Sequence, residues 1–271
     1  MIEVTIKGGL GNQMFQYAFG REISLRLDVP LILNTIWYNS KREYPYPYVL
    51  DKFNIKNSNL TSTPKEVRQE TAKGFDGRLL NWPMDPDIRF EGYFQSEGYF
   101  KNIRNVLLEE LTLKMDILND DVLRTERAIR KRESIFVHIR RGERTSGIAK
   151  ESHGLLSKDF YLKAIRMMKG WFFDPQFVCV TDDPDWVKEN LPDKFDLNLY
   201  SSGYQDYHIM YLMSKCNHAI IPNSAFSWWG AWLMTNPHKI VIGPNEWTID
   251  INHSNPDILP QGWIRIKSEY E

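Results

Sequence analysis

Between residues 135 and 242, short apolar runs alternate with stretches of helical spacing, and no other feature restricts the fold as much. Ile135-Phe136-Val137-His138-Ile139 precedes a helix expected over about 158–169, and Phe177-Val178-Cys179-Val180 precedes one over 184–190. Leu197-Asn198-Leu199-Tyr200 precedes one over 205–215, and Ala219-Ile220-Ile221 leads through a tryptophan-rich helix to Ile240-Val241-Ile242. Strands apolar along their whole length need cover on both faces, so the pattern predicts an α/β fold with a parallel sheet between helices.

The N-terminal part begins the same way. Ile2-Glu3-Val4-Thr5-Ile6 alternates as a strand, Gly8-Gly9-Leu10-Gly11-Asn12 turns, and Phe15, Ala18, Phe19, Ile23 and Leu27 recur at helical spacing before the strand Leu31-Ile32-Leu33. Residues 37–60 and 73–100 are rich in Tyr, Pro, Gly and Trp without a sustained period, which predicts loops and short elements. Residues 101–132 read as helical and end in the charged run Arg127 to Glu133, so a boundary is expected near 130, between domains 1–130 and 131–271. EGYF occurs at 91–94 and again at 97–100, too few copies for a repeat architecture.

Charge narrows the function. With 34 basic and 35 acidic residues the net charge is −1, which gives no basis for nucleic-acid binding. Cys179 and Cys216 lie in apolar segments without paired spacing, as expected of reduced core thiols in the cytosol. MIEVTIKGG lacks the pattern of a signal peptide, and no run of about 18 apolar residues occurs. A cytoplasmic protein is expected, peripheral at the inner membrane if it meets one.

Ligands of open α/β sheets bind beyond the carboxyl ends of the strands, so the residues after each apolar run matter most. They are His138-Ile139-Arg140-Arg141-Gly142-Glu143, Thr181-Asp182-Asp183, Pro222-Asn223-Ser224 and Gly243-Pro244-Asn245-Glu246-Trp247. Along a strand, His138 and Arg140 share one face and Arg141 takes the other. An arginine fork suits phosphate or carboxylate, and Ser224 at a helix start adds a hydroxyl and free backbone amides. The alternative is structural: the arginines pair with Asp182, Asp183 or Glu143, and Asn223 or Ser224 caps a helix. Together the features favour a phosphorylated ligand. Trp228, Trp229 and Trp232 are expected to pack in the core and fix that helix start.

The glycine turn does not complete a dinucleotide fingerprint, because Met14 stands where the third glycine would allow close helix packing and Asn34 where an acid would follow the second strand. A phosphate-binding Gly-Lys-Ser/Thr loop is absent. Asp183-Pro184-Asp185 resembles a metal-holding acidic pair, but it opens a helix, where acids are favoured anyway. No metal and no cofactor are expected.

GGLGNQMFQYAFG at 8–20, EGYFQSEGYF at 91–100, HIRRGE at 138–143, TDDPDW at 181–186 and NSAFSWWGAWL at 223–233 resemble, in order and over nearly the whole chain, the bacterial α-1,2-fucosyltransferases of glycosyltransferase family eleven. The resemblance implies a GT-B architecture, two Rossmann-like domains facing across a cleft, with GDP-fucose held by the C-terminal one. It implies inverting transfer of fucose to the 2-hydroxyl of galactose in an oligosaccharide or lipid-linked glycan. Residue by residue, it places His138 and Arg140 on the nucleotide and diphosphate, with Arg140 neutralising the leaving β-phosphate and Arg141 in support. Asn223, Ser224, Phe226 and Ser227 match the phosphate-binding loop and helix start, and Gly11, Asn12 and Gln13 the loop that reaches fucose and acceptor. Asp182, Asp183 and His153 are supporting positions. Glu143 stands where the family has Asp, and Ile209 where an acid reads the guanine, which Asp206, about one turn earlier, would replace. Glu143, Glu151, His153 and Asp159 remain open as general base, with Glu143 the site candidate. Trp37, Tyr38, Tyr44, Tyr46, Tyr48 and Trp82 form either an acceptor platform or local core. A fucosyltransferase of other linkage, such as α-1,6, and a non-catalytic nucleotide-sugar-binding protein are the competing functions.

Overall fold

The computed structural model describes residues 1–39, 46–59, 63–81, 87–142, 154–199, 203–250 and 254–271. The chain forms two compact units. Met1–Ile117 and Asn255–Pro260 make the first; Leu118–Ser254 and Gln261–Glu271 make the second.

The first unit contains β1 (Ile2–Thr5), α1 (Leu10–Leu27), β2 (Leu31–Asn34), β3 (Glu66–Gln69), α2 (Arg78–Asn81), β4 (Ile88–Glu91) and α3 (Arg104–Glu110). Among the described residues its strands form one parallel sheet in the order β2-β1-β4-β3. Helix α1 is buried on almost every side from Leu10 to Ser24. The close helix–sheet approach that Met14 cannot provide occurs at Gly20, where a Cβ would lie 2.6 Å from Val4 and 2.8 Å from Leu31. Phe19 stacks on Phe94 of the first EGYF copy at 3.8 Å, and Tyr99 of the second meets Phe19 edge-on. Tyr17 and Arg21 both bond Glu110, fastening α1 to α3.

The second unit contains α4 (Asp120–Ile129), β5 (Ser134–Ile139), α5 (Lys158–Trp171), β6 (Gln176–Thr181), α6 (Pro184–Asn190), β7 (Leu197–Asn198), α7 (Asp206–Ser214), β8 (His218–Ile220), α8 (Ala225–Trp232), β9 (Val241–Pro244) and β10 (Ile264–Ile266). Its strands are parallel in the order β10-β9-β8-β5-β6-β7. Ile135, Val137 and Ile139 of β5 pack with Phe160, Tyr161 and Ile165 of α5 in a continuous core. Trp228, Trp229 and Trp232 are all buried, and Trp228 and Trp232 lie nearly parallel, 6.2 Å apart. Helix α8 reaches α7 closely at Gly230, where a Cβ would sit 2.9 Å from Met213.

The segment expected as one helical stretch over 101–132 divides into α3 and α4, and α4 begins at the Asn119 side chain, which accepts the Val122 N–H at 3.0 Å. Glu126 of α4 accepts from the Tyr211 hydroxyl of α7 at 2.6 Å, so α4 belongs to the second unit and the division falls at 117/118 rather than near 130.

Candidate functional site

Strand β5 has β6 on one side and β8 on the other, so the chain leaves it in one direction and later returns to its opposite flank. Such a reversal opens a crevice at the carboxyl edge of a doubly wound sheet. Val137 of β5 is in register with Ile220 of β8, which brings the residues after both strands, Arg140-Arg141 and Asn223-Ser224, to that crevice.

Ser224 is the N-cap residue of α8, yet its hydroxyl makes no capping bond. The Ser227 hydroxyl turns back to the Ser224 carbonyl at 3.3 Å. The first-turn amides of α8 therefore keep their donors without a Ser224 side-chain cap, at the end where the helix dipole is positive. Asn223 is buried and its Nδ2 donates to the Trp247 carbonyl at 3.0 Å, which holds the turn in place rather than presenting the amide nitrogen to a ligand. His138 is buried with its ring 5.8 Å from that of Phe226, so the ends of β5 and α8 meet through these two rings.

The two arginines have separate environments. Arg140 Nη1 lies 2.7 Å from Asp182 Oδ2, and both side chains are about a quarter exposed, at 24% and 25%. Asp182 Oδ1 accepts the Arg141 backbone N–H at 2.7 Å, so one carboxylate orders both residues. The Arg141 side chain is only 9% exposed. Its guanidinium lies 4.2 Å from the Trp186 ring centre and donates to Glu271 at 2.9 Å, which packs Arg141 firmly in place. Asp183 caps α6 through the Trp186 N–H at 3.1 Å and Asp185 pairs with Lys188, which engages the acidic pair considered for a metal.

Asp206 opens α7 within the field of the Arg140 guanidinium. Crowding by the protein pushes its carboxyl pKa up while Arg140 pulls it down. The side chain remains exposed to water, so both influences are partly screened.

The glycine turn of the first unit is tightly built. Gln13 is fully buried, its Nε2 donates to the Gly8 and Pro47 carbonyls, and its Oε1 accepts the Val49 N–H. Its amide is consumed in fixing the loop, which corrects the expectation that Gln13 reaches a ligand. Asn12 stays half-exposed and accepts from Gln95 at 2.8 Å, while Gly11 is buried. The Tyr38 hydroxyl donates to Gly8 at 2.7 Å, and the Tyr46 ring would lie 3.4 Å from a Cβ at Gly9. Trp37 and Tyr48 pack on Tyr38 at 4.9 and 5.9 Å. These aromatics wrap the turn.

The sequence profile of glycosyl transferase family 11 matches residues 66–267. The chain belongs to this family. The family 11 transferase is 32% identical to the Escherichia coli alpha-1,2-colitosyltransferase, an alignment covering 98% of this chain and 99% of that protein. It is 30% identical to the Escherichia coli O-antigen biosynthesis glycosyltransferase WbnK, over 96% and 99%. Against galactoside alpha-(1,2)-fucosyltransferase 1 of Leontopithecus chrysomelas identity is 26%, over 68% of this chain and 54% of that one. Its fold is similar to that of the NodZ alpha-1,6-fucosyltransferase crystal structure soaked with GDP-fucose, with TM-score 0.57 and 14% identity over 93% and 96% of the two chains. It is also similar to POFUT1 in complex with GDP, with TM-score 0.57 and 11% identity over 89% and 97%. The fold is of the GT-B type.

In this family 11 transferase His138, Arg140, Asp206, Ser224, Phe226 and Ser227 belong to the second unit, with Arg140 and Ser224 at its sheet switch point and Asp182 and Arg141 behind Arg140. Glu143, Glu151 and His153, with Tyr44 and Trp82 of the aromatic group, lie outside the described residues. Trp186, the ring beneath Arg141, closes the TDDPDW motif, and that position is the one sign of it in the sequence, since an aromatic beside a buried arginine is a common support.

Proposed function

We propose that this family 11 glycosyltransferase moves L-fucose from GDP-fucose to the 2-hydroxyl of a galactose residue, inverting the β-linked donor to an α-linked product. The observation that carries this reading is the meeting of Arg140 with the uncapped Ser224 helix start at the switch point between β5 and β8. Two kinds of donor, a guanidinium fork and backbone amides, suit a diphosphate there. In the reaction the galactose oxygen forms a bond to fucose C1 as the bond from C1 to the β-phosphate oxygen breaks. Charge grows on that phosphate, and Arg140 and the α8 amides stabilise it where it grows. The hydroxyl proton leaves with a base, for which Glu143, Glu151, His153 and Asp159 are the candidates. Asp206 accepts from the guanine edge.

The α-1,2 linkage is supported by the 32% identity to the alpha-1,2-colitosyltransferase, which also favours a second reading, a colitosyl donor at the same site. The test is GDP release from GDP-fucose with and without a terminal β-galactoside, followed by linkage analysis. Acceptor-dependent release and an α-1,2 product are expected. A product of other linkage overturns the acceptor assignment, turnover only with a colitosyl donor overturns the fucose assignment, and tight binding without turnover makes this a nucleotide-sugar-binding protein. We further propose that no metal takes part, since Arg140 and the helix start neutralise the diphosphate: activity should persist in excess EDTA, and loss restored by Mn²⁺ or Mg²⁺ would reverse this.

A further inference from the structure

At the opposite, amino edge of the second sheet, between α5 and β6, the chain makes a tight turn that carries Trp171, Phe172 and Phe173. Phe173 is 99% exposed and Trp171 47% exposed, among the least covered large apolar side chains described. The turn beneath them is fastened. Phe172 lies against the His218 ring at 4.2 Å, and its N–H bonds Met168 at 3.1 Å. Asp174 takes a left-handed backbone with φ 45° and pairs with Arg132 at 3.0 Å. A bulky ring free to move would fold back on apolar surface; here the anchors on either side hold Phe173 outward.

The helix leading to this tip is basic. Lys158, Lys163, Arg166 and Lys169 are exposed on α5 against the single acid Asp159, in a chain whose net charge is −1. Exposed Trp and Phe beside lysine and arginine are the composition of a surface that enters the headgroup region of a bilayer. Basic residues add attraction to anionic lipid. A second copy of this chain is disfavoured as the occupant, because a two-fold contact would set the same basic stripe against itself.

We propose that the Trp171–Phe173 turn, with Lys163, Arg166 and Lys169 behind it, seats this protein on an anionic phospholipid surface. No helix among the described residues is long and apolar enough to cross a membrane, so the contact is interfacial. Strand β5 has six residues, which sets the tip about 20 Å from Arg140 and leaves the switch point uncovered. The proposal does not depend on which sugar is transferred.

The test is co-sedimentation of the full chain with phosphatidylglycerol/phosphatidylcholine vesicles and with pure phosphatidylcholine vesicles. Preferential, salt-sensitive binding to the anionic vesicles is expected. Phe173→Ser should lower the partition coefficient about tenfold, Phe173→Trp should retain it, and Lys163→Glu/Arg166→Glu/Lys169→Glu should remove the preference for anionic lipid. Vesicle-free turnover should be unchanged in each, and melting temperature should be unchanged in the Phe173 variants because that ring is 99% exposed; Lys169 lies over the core Phe177 ring at 5.5 Å, so lipid binding of the triple variant is compared at a temperature below its own melt. Wild-type protein left in the supernatant, or Phe173→Ser binding as well as wild type, overturns the proposal. So does a dimer in sedimentation velocity that Phe173→Ser dissociates, which would make the tip a contact between two copies.

Discussion

Arg140 is held at the crevice by an ion pair that a diphosphate must share or displace, so its carboxylate partner sets its position and not its charge. Removing it should cost about 100-fold or more in kcat, because a charge-assisted contact on a leaving phosphate is worth a few kcal/mol in the transition state. Arg140→Lys should recover little, since an ammonium lacks the fork. Steady-state kinetics beside a thermal melt checks this: near wild-type turnover in a folded Arg140→Ala protein would dismiss the assignment. Ser224 is separable from helix capping, because its hydroxyl caps nothing. Ser224→Ala should weaken GDP by about 1.5 to 3 kcal/mol with little change in melting; an early melt with unchanged calorimetric affinity would make it a structural residue. Chemical type at a strand end was legible in the sequence, and so were Arg140 and Ser224. Availability was not. Gln13 and Asn223 have the residue types of ligand contacts, but long-range backbone partners at Pro47, Val49 and Trp247 take up polar groups of both amides, and no local pattern encodes such partners.

At the level of elements, α8 is the piece that carries most packing, with three indoles within one helix. Trp228→Ala should cost roughly 3 to 5 kcal/mol, visible as a large fall in melting temperature, because a buried ring leaves a cavity that its neighbours cannot close. A normal melt with lost GDP affinity would instead place that ring in the nucleotide site. The doubly covered strands β5, β6 and β8 were legible because both faces demand apolar residues. Strand β3 was not: Glu66-Val67-Arg68-Gln69 is an edge strand with largely exposed side chains, so nothing apolar marks it. Strand β4, Ile88–Glu91, is central, yet it alternates for only four residues, too short a period to stand out behind Pro83 and Pro86. The break before α4 did leave a sign, Asn119-Asp120-Asp121, a capping residue followed by acids, which apolar residues on both sides obscured.

Across the whole molecule, acid should loosen the second unit through His218. The ring is buried, its Nδ1 accepts the Ile240 N–H at 2.9 Å, and its Nε2 faces Glu133 at 2.8 Å. Burial holds its pKa below the ordinary value, with Glu133 opposing. A histidine kept neutral on folding contributes full stability above about pH 6.5 and loses it as pH falls through the lower folded-state value. Melting temperature should therefore decline below that pH, and less steeply in His218→Gln; parallel pH profiles for the two proteins would remove His218 as the cause. The first unit carries a different dependence. Asp257 accepts the Phe75 N–H at 2.9 Å and Asn255 donates to the Gln95 carbonyl at 2.8 Å, so a late segment completes an early domain. Ribosomes extend a chain at roughly 5–20 residues per second, and domains ordinarily settle in the order they emerge. Here Asn255–Pro260 emerges only after Leu118–Ser254 has been synthesised. For all that time the nascent first unit holds the Phe75 amide and the Gln95 carbonyl without these partners, so the half that is born first must wait for a segment made near the far end of the chain.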